Sequence, residues 1–305
     1  MGKRPAGGSG RKASWRRERG HFILLMLTPA IVLLTGLILV PFVVGFGLSF
    51  TDYILSLPPA RFAGFDNYMT LLSTPEFWGS LRVTLIFTVC SVVLQTAIGL
   101  GLAILLHEET RGVPILRAIY LLPMAVTPIA AVFTFRMMFN PSLGVFNHIL
   151  MGMGLPPQDW LGTGNMALLS LILVDTWQHA PFILLIIAGG LASLPGDPFE
   201  AAKIDGATPW QTFRLVTLPL LKPFLAIALL FRSIDAFKTF DIIYVLTSGG
   251  PGTSTTTLNM YAYKQAIEFV SLGYGSSVAI VMLIIITIVT QLFLRRSRLL
   301  TVAES

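Results

Sequence analysis

The sequence predicts an all-α integral membrane protein with six transmembrane helices. Of its 305 residues, 54% are hydrophobic and 12% are charged, whereas a soluble domain carries about 25% charged residues. So few charges cannot cover the surface of a soluble protein of this size, and the high apolar fraction excludes a disordered chain. The apolar residues lie in long runs without the alternation of transmembrane strands, which favours helices over a barrel.

Six apolar runs are long enough to cross a hydrocarbon core about 30 Å thick, which takes roughly 20 helical residues. They are Phe22–Phe50, Val83–Leu106, Ala118–Phe139, Ala167–Leu191, Pro223–Leu246 and Tyr274–Leu294. They define a basic tail at 1–21, a membrane domain at 22–294 and a second tail at 295–305. The first run could also be a cleaved signal peptide, but it is too long and lacks a small-residue cleavage site.

Lys and Arg residues are concentrated in one set of loops and in both tails. The residues on this basic side are Lys3, Arg4, Arg11, Lys12, Arg16, Arg17, Arg19, Arg111, Arg117, Lys203, Arg214, Lys222, Arg295, Arg296 and Arg298. The opposite loops contribute Arg61 and Lys264. Because cytoplasmic loops are the ones enriched in Lys and Arg, we expect both termini in the cytoplasm. The basic N-terminal tail is then expected to lie near anionic lipid rather than to bind nucleic acid.

Several kinds of chemistry are absent from the sequence. The single cysteine, Cys90, excludes an internal disulfide, a dithiol redox site and a cysteine zinc cage. No Gly-x4-Gly-Lys-Ser/Thr or His-Glu-x-x-His motif occurs. We therefore expect no catalytic residue, metal or cofactor in this chain, and any ATP chemistry must come from a partner.

The loop at 194–223, cytoplasmic by the charge pattern, contains signals for two short helices. Asp197 resembles an N-cap whose capping-box partner is Glu200. Gly206 then predicts a left-handed end to the first helix. Thr208 and Gln211 repeat the capping pattern for a second helix.

The same loop combines an apolar face with two prolines. Ala201, Ala202 and Ile204 would be small or apolar on an exposed helix, a composition typical of a surface that docks into a partner's groove. An amphipathic helix lying on the membrane surface is the alternative. Pro219 and Pro223 are expected to interrupt the chain before the fifth span.

A sequence signature in this loop resembles that of a known family. Glu200-Ala201-Ala202, then Gly206 after three residues, then Val216-Thr217-Leu218-Pro219 after nine more, is similar to the EAA signature of ABC-importer permeases, with Val216 in place of the usual Ile. The chain resembles the carbohydrate, maltose-permease-like branch over nearly its full length. Further stretches of resemblance are Arg117–Pro123, Phe240–Thr247 and Gly249–Pro251.

This resemblance implies a type I ABC-importer permease in the bacterial inner membrane, with the 194–223 loop as a cytoplasmic coupling helix pair. The chain would form half of a sugar pathway with a second permease subunit, in a heterodimer. Two ATPase subunits would bind ATP and Mg, and an extracytoplasmic sugar-binding protein would deliver the substrate. The residues implied in coupling to the ATPase are Glu200, Ala201, Ala202, Asp205, Gly206 and Pro219.

The fourth and fifth spans contain polar and aromatic residues at membrane depth, where charges usually face a cavity or each other. The residues expected to line the sugar pathway are Asp175, Trp177, Gln178, His179, Arg232, Asp235, Phe237, Lys238 and Asp241. Helical spacing puts Asp175 and His179 on one face and would let Arg232 pair with Asp235, and Lys238 with Asp241. The alternatives are ion pairs that only lock helices together, or a proton relay.

Two other functional classes compete with the importer. An ion-gradient-driven secondary transporter would explain the intramembrane charges, but it would not explain an EAA helix pair, and no inverted repeat is visible. A membrane enzyme would need a cluster of catalytic groups at one membrane face, and only scattered carboxylates occur.

Overall fold

The computed structural model describes residues 22–23, 25–57, 59–107 and 112–297. The predicted N-terminal tail and most of the C-terminal tail lie outside these ranges. The helices, with their bounds, are α1 (Leu25–Leu48), α2 (Asp66–Ser73), α3 (Pro75–Leu105), α4 (Val113–Ala125), α5 (Pro128–Met138), α6 (Val145–Gly152), α7 (Gly164–Ala192), α8 (Asp197–Ile204), α9 (Pro209–Phe237), α10 (Asp241–Leu246), α11 (Leu258–Tyr263) and α12 (Leu272–Ser297).

Among the described residues, five helices are long and apolar enough to cross a membrane: α1, α3, α7, α9 and α12. The α4–α5 pair makes a sixth span if it is counted as one bent element. The predicted helical membrane fold is therefore confirmed, with one span of unexpected shape.

That span, expected to be continuous from 118 to 139, bends by 96° between α4 and α5. Apart from Pro128, which begins α5, the sequence contains no signal for the bend. A proline disfavours helical backbone at the residue before it, and Thr127 has ψ 126° and Val126 ψ 135°, both outside the helical region.

The fifth span differs from its prediction at both ends. Its helix, α9, runs without interruption from Pro209 to Phe237, so Pro219 and Pro223 do not separate the loop from the span. A wide π turn at 213–217, in which the N–H of Leu218 donates to the carbonyl of Phe213, loosens the helix just before Pro219. The helix ends at Phe237, and Lys238 is not helical, so Asp241 does not lie on the same helix as Arg232 and Asp235.

The 194–223 loop forms the expected first helix, but with a different start. Asp197 is the first residue of α8 and makes no capping hydrogen bond, because the N-cap position is taken by Gly196. The predicted Asp197–Glu200 capping box is therefore wrong. The end of α8 is as predicted: Gly206 has φ +70°, and the N–H groups of Gly206 and Ala207 donate to the carbonyls of Lys203 and Ala202, a Schellman end.

The second helix start in this loop is confirmed. Thr208 Oγ1 accepts from the N–H of Gln211 at 3.3 Å, and Gln211 Oε1 accepts from the N–H of Thr208 at 2.7 Å. These two reciprocal bonds form a capping box.

Helices α3, α7 and α9 pack on one another and form the centre of the molecule. Gly99 of α3 lets the first two approach closely: a Cβ there would lie 2.7 Å from Cβ of Ile183 in α7, as small residues allow in membrane helix pairs. Helix α4 packs on α7. The two short helices that follow the interrupted spans, α5 after α4 and α10 after α9, pack on each other. Arg136 Nη1 of α5 donates to the carbonyl of Val245 in α10 at 2.8 Å.

Candidate functional site

A fully buried polar cluster joins the three central helices. Asp175 of α7 and Arg232 of α9 form an ion pair, with Arg232 Nη2 3.1 Å from Asp175 Oδ2. Gln95 of α3 connects both: its Oε1 accepts from Arg232 Nε at 2.8 Å and its Nε2 donates to Asp175 Oδ2 at 2.7 Å. All three side chains are at most 2% exposed. The pair thus has the hydrogen bonds that a buried ion pair needs to offset its loss of hydration.

The cluster extends outward from this ion pair through two more side chains. Arg232 Nη1 donates to Asp235 Oδ2 at 2.5 Å, and His179 Nδ1 lies 2.9 Å from Asp175 Oδ1. The expected pairing of Arg232 with Asp235, and the shared face of Asp175 and His179, are confirmed. Lys238 turns back toward Asp235, with 4.0 Å between Nζ and Oδ1, instead of pairing with Asp241.

Next to this cluster lies a cavity of about 420 Å³, within the usual range for small-molecule sites. Its walls come from the α4–α5 bend, the middle of α7 and the end of α9; the lining residues are Met124, Val126, Pro128, Gln178, His179, Phe182, Phe231, Arg232, Ile234, Asp235 and Lys238. The cavity therefore forms where two membrane helices are interrupted, an arrangement that transporters use for binding sites.

The residues predicted for the pathway separate into two groups. Gln178, His179, Arg232, Asp235 and Lys238 line the cavity, and Asp175 lies directly behind them as the buried partner of Arg232. Their contact with a substrate stays a prediction.

Three predicted pathway residues lie elsewhere. Trp177 packs edge-on against Phe135, with ring centroids 5.0 Å apart. Phe237 is 6% exposed and belongs to a separate apolar cluster formed by α2, α3, α9, α11 and α12. Asp241 is exposed in the first turn of α10. Residues that are neighbours in sequence diverge here because successive helical residues point in different directions.

Sequence reasoning missed Gln95, which binds both members of the central ion pair. The available signal was an uncharged amide inside the apolar run of the second span, since polar groups at that depth need a partner. Its partners are 80 and 137 residues away along the chain, so no local pattern identifies them.

The coupling residues implied by the EAA resemblance lie on the surface, with one exception. Glu200, Ala201 and Asp205 are exposed, as is Pro219 on α9, and Ile204 is 86% exposed. Within the described part of the chain, no hydrogen bond or ion pair involves the Glu200 carboxylate. Ala202 is buried inside the molecule. Of the three residues expected on the exposed apolar face of α8, only Ala201 and Ile204 are therefore exposed.

Comparison with known families gives a match over residues 95–298 to the model described as "Binding-protein-dependent transport system inner membrane component". This chain belongs to that family. It is a permease subunit of an ABC importer, and its relatives are transport permeases, which supports a transport subunit over an enzyme. The same relatives support the importer over the secondary transporter.

Curated relatives of the permease match nearly end to end. It is 40% identical over 274 residues to the trehalose/maltose transport system permease protein MalF of Thermococcus litoralis, covering 90% of this chain and 92% of that protein. It is 38% identical over 277 residues to the sulfoquinovosyl glycerol transport system permease protein SmoG of Agrobacterium fabrum, covering 89% of each.

A solved structure agrees with the fold of the permease. A bacterial ABC transporter involved in import of the acidic polysaccharide alginate superposes with a TM-score of 0.83 at 22% identity. The match covers 94% of this chain and 98% of that chain. At this identity the similarity establishes the fold and not the cargo.

Proposed function

We propose that the permease carries a carbohydrate and forms half of the translocation pathway of an ATP-driven importer. One observation carries the proposal: the same chain contains a cavity with polar and charged side chains in its lining, beside the middle of α7, and an exposed helix that bears the EAA signature. Relatives named for trehalose/maltose and for starch degradation products support a sugar as cargo.

The proposal includes partners that complete the machine. A second permease subunit, in a heterodimer, supplies the other half of the pathway, and two ATPase subunits bind ATP and Mg. An extracytoplasmic binding protein delivers the sugar; a related-fold transporter has been solved with such a periplasmic protein. The permease lies in the inner membrane with both termini in the cytoplasm, as the Lys and Arg distribution favours.

In this proposal the continuous helix α9 links the 194–223 loop to the cavity. The helix contains 29 residues, roughly 44 Å at 1.5 Å per residue. It begins in the second half of the 194–223 loop, and its last turn carries Asp235, which lines the cavity. A displacement of α8 by the ATPase would pass to the 213–217 turn of α9, which α8 contacts, and from there along the helix to the cavity.

Purification of the permease from gently solubilised membranes tests the proposal, with mass spectrometry of the proteins that accompany it. We expect an ATPase with a phosphate-binding loop, a second EAA-bearing permease and a solute-binding protein. A permease that purifies alone, stable and monodisperse, would contradict the importer and favour an ion-gradient-driven carrier.

A further inference from the structure

The buried polar cluster has an inner part and a part that faces the cavity. Arg232 and Asp235 line the cavity, whereas Gln95 and Asp175 are not among its lining residues in the described part of the chain. Gln95 and Asp175 are fully buried, and the side chain of Asp235 is 52% exposed. The guanidinium of Arg232 contacts all three residues, so it joins the two parts.

Acceptors from three helices determine how the Arg232 guanidinium is oriented. Nε donates to Gln95 Oε1 of α3 at 2.8 Å, Nη2 lies 3.1 Å from Asp175 Oδ2 of α7, and Nη1 donates to Asp235 Oδ2 of α9. Nε has one hydrogen, which the bond to Gln95 uses, whereas each Nη has two. Nη1 makes no second hydrogen bond to a described residue, so one of its N–H groups is left for an acceptor in the cavity.

The amide of Gln95 matches both members of the ion pair. Its Oε1 accepts from Arg232, while its Nε2 donates to the Asp175 carboxylate at 2.7 Å and to the Asp175 backbone carbonyl at 3.2 Å. A glutamate of the same length has no hydrogen to donate to Asp175 when it is ionised, and a methionine provides neither bond. The position therefore requires a donor and an acceptor on one side chain.

Helix packing alone does not explain this cluster. Charges at membrane depth are costly, and well-packed apolar residues often stabilise a protein as well as a buried ion pair does. One turn beyond Gln95, Gly99 already brings α3 close to Ile183 of α7 without any polar contact. What the cluster adds is a cation with a defined orientation at the cavity wall, which is what the supporting residues of a binding site provide.

We propose that Gln95 is a positioning residue of the sugar site; this inference rests on the proposed carbohydrate function. Gln95 does not touch the solute. It holds the Arg232 guanidinium so that Nη1 and the Asp235 carboxylate face the cavity together, where a sugar hydroxyl can accept from the first and another can donate to the second. Because the arginine is ordered before the solute arrives, binding does not have to bear the loss of its rotamer freedom.

The test uses the assembled transporter in proteoliposomes, with its partner permease, ATPase and binding protein. A panel of mono-, di- and trisaccharides first identifies the sugar that is imported fastest. Uptake of this sugar and of its monodeoxy analogues is then compared at concentrations that give equal occupancy of the binding protein. We expect at least one analogue to enter wild type about three- to tenfold more slowly than the parent, as the loss of one hydrogen bond predicts. Equal uptake of the parent and every analogue overturns the inference.

Gln95→Met keeps the length of the side chain and removes both of its bonds. We expect the ratio of parent to analogue uptake to fall toward one in this variant, because the arginine no longer has a defined orientation. Gln291→Met, the same substitution at an exposed position of α12, should leave the ratio unchanged. A purely structural role of Gln95 would lower the uptake of all sugars by one factor, so an unchanged ratio in the inserted variant overturns the positioning role.

Two isosteric exchanges test whether Gln95 acts through this network. Gln95→Glu places a second carboxylate beside Asp175, and Asp175→Asn leaves Arg232 with two amides in its inner contacts; each single exchange should shift the ratio. The double variant Gln95→Glu/Asp175→Asn again has one carboxylate and one amide, in exchanged positions, and should return the ratio most of the way to that of wild type. A double variant that is inserted but shows no recovery contradicts the proposal. If no Gln95 variant is inserted, the residue only holds the helices together, and the positioning role is overturned.

Failure of the proposed function has a different signature. A wild-type complex that hydrolyses ATP but imports no carbohydrate of the panel overturns the carbohydrate function and the inference with it. A complex that imports a sugar with the same ratio in wild type and in Gln95→Met overturns the inference and leaves the carbohydrate function intact.

Discussion

The permease has two polar regions, the buried cluster and the 194–223 loop, and they differ in the exposure of their charged groups. Gln95, Asp175 and Arg232 satisfy one another inside the molecule, at most 2% exposed. On α8, the Glu200 carboxylate is exposed and Ile204 is 86% exposed. The first region is complete within one chain, whereas the Glu200 carboxylate in the second has no partner among the described residues.

This difference predicts which property each substitution changes. A change in the buried cluster alters the stability of the three-helix core before it alters anything else, since the cost of an unpaired buried charge is large. A change on the exposed face of α8 leaves the core intact and, under the proposed function, alters the contact with the ATPase. Three substitutions, from the largest expected effect to the smallest, test this separation.

Arg232→Met should have the largest effect, because it leaves the carboxylate of Asp175 buried without its cationic partner. We expect the free energy of unfolding to fall by about 3–5 kcal/mol, measured by thermal or denaturant unfolding of the purified permease in detergent. The double variant Asp175→Leu/Arg232→Met removes both charges and should recover most of this loss. Equal loss in the single and double variants would show that the ion pair is not the origin of the effect.

Gly99→Val tests the packing that brings Gln95 to its partners. Gly99 lies one turn beyond Gln95 on α3, and an added Cβ would meet Ile183 at 2.7 Å, so α3 and α7 must separate. Overpacking of this kind costs about 1–3 kcal/mol. Gly101→Val is the matched control, since no atom lies within 4 Å of a Cβ there; similar unfolding curves for the two variants would contradict the close-contact argument.

Gly206→Ala should have the smallest effect on stability and a specific effect on coupling. At φ +70° a side chain costs about 1–2 kcal/mol, confined to the end of α8. We expect sugar uptake per ATP hydrolysed to fall severalfold while the amount of inserted permease stays unchanged. Gly189→Ala, at a helical position with open space, serves as the control. Unimpaired coupling in Gly206→Ala would argue against a role for the shape of this turn.

Local patterns in the sequence predicted much of the architecture. Hydrophobic length identified the spans, because a helix in lipid must satisfy its own backbone over the whole hydrocarbon thickness. The Thr208–Gln211 capping box and the Gly206 turn were also predictable, since each depends on residues at most five positions apart.

Prolines show where local prediction fails. Pro128 begins α5 just after a 96° bend, whereas Pro219 and Pro223 lie inside the continuous α9. The sequence contains the same residue in each case. The outcome depends on whether neighbouring turns can widen, as they do at 213–217, and on the packing around the helix.

The sequence by itself determined the membrane class, the positions of most spans and the two helix starts in the 194–223 loop, because these depend on composition and short-range spacing. It also placed Asp175 and Arg232 at membrane depth. Only the tertiary structure decided that Gln95 joins them and that Phe237 and Trp177 do not face the cavity. Contacts between residues 57 to 137 positions apart depend on how helices are rotated and packed, and that rotation is set by the whole core rather than by any one segment.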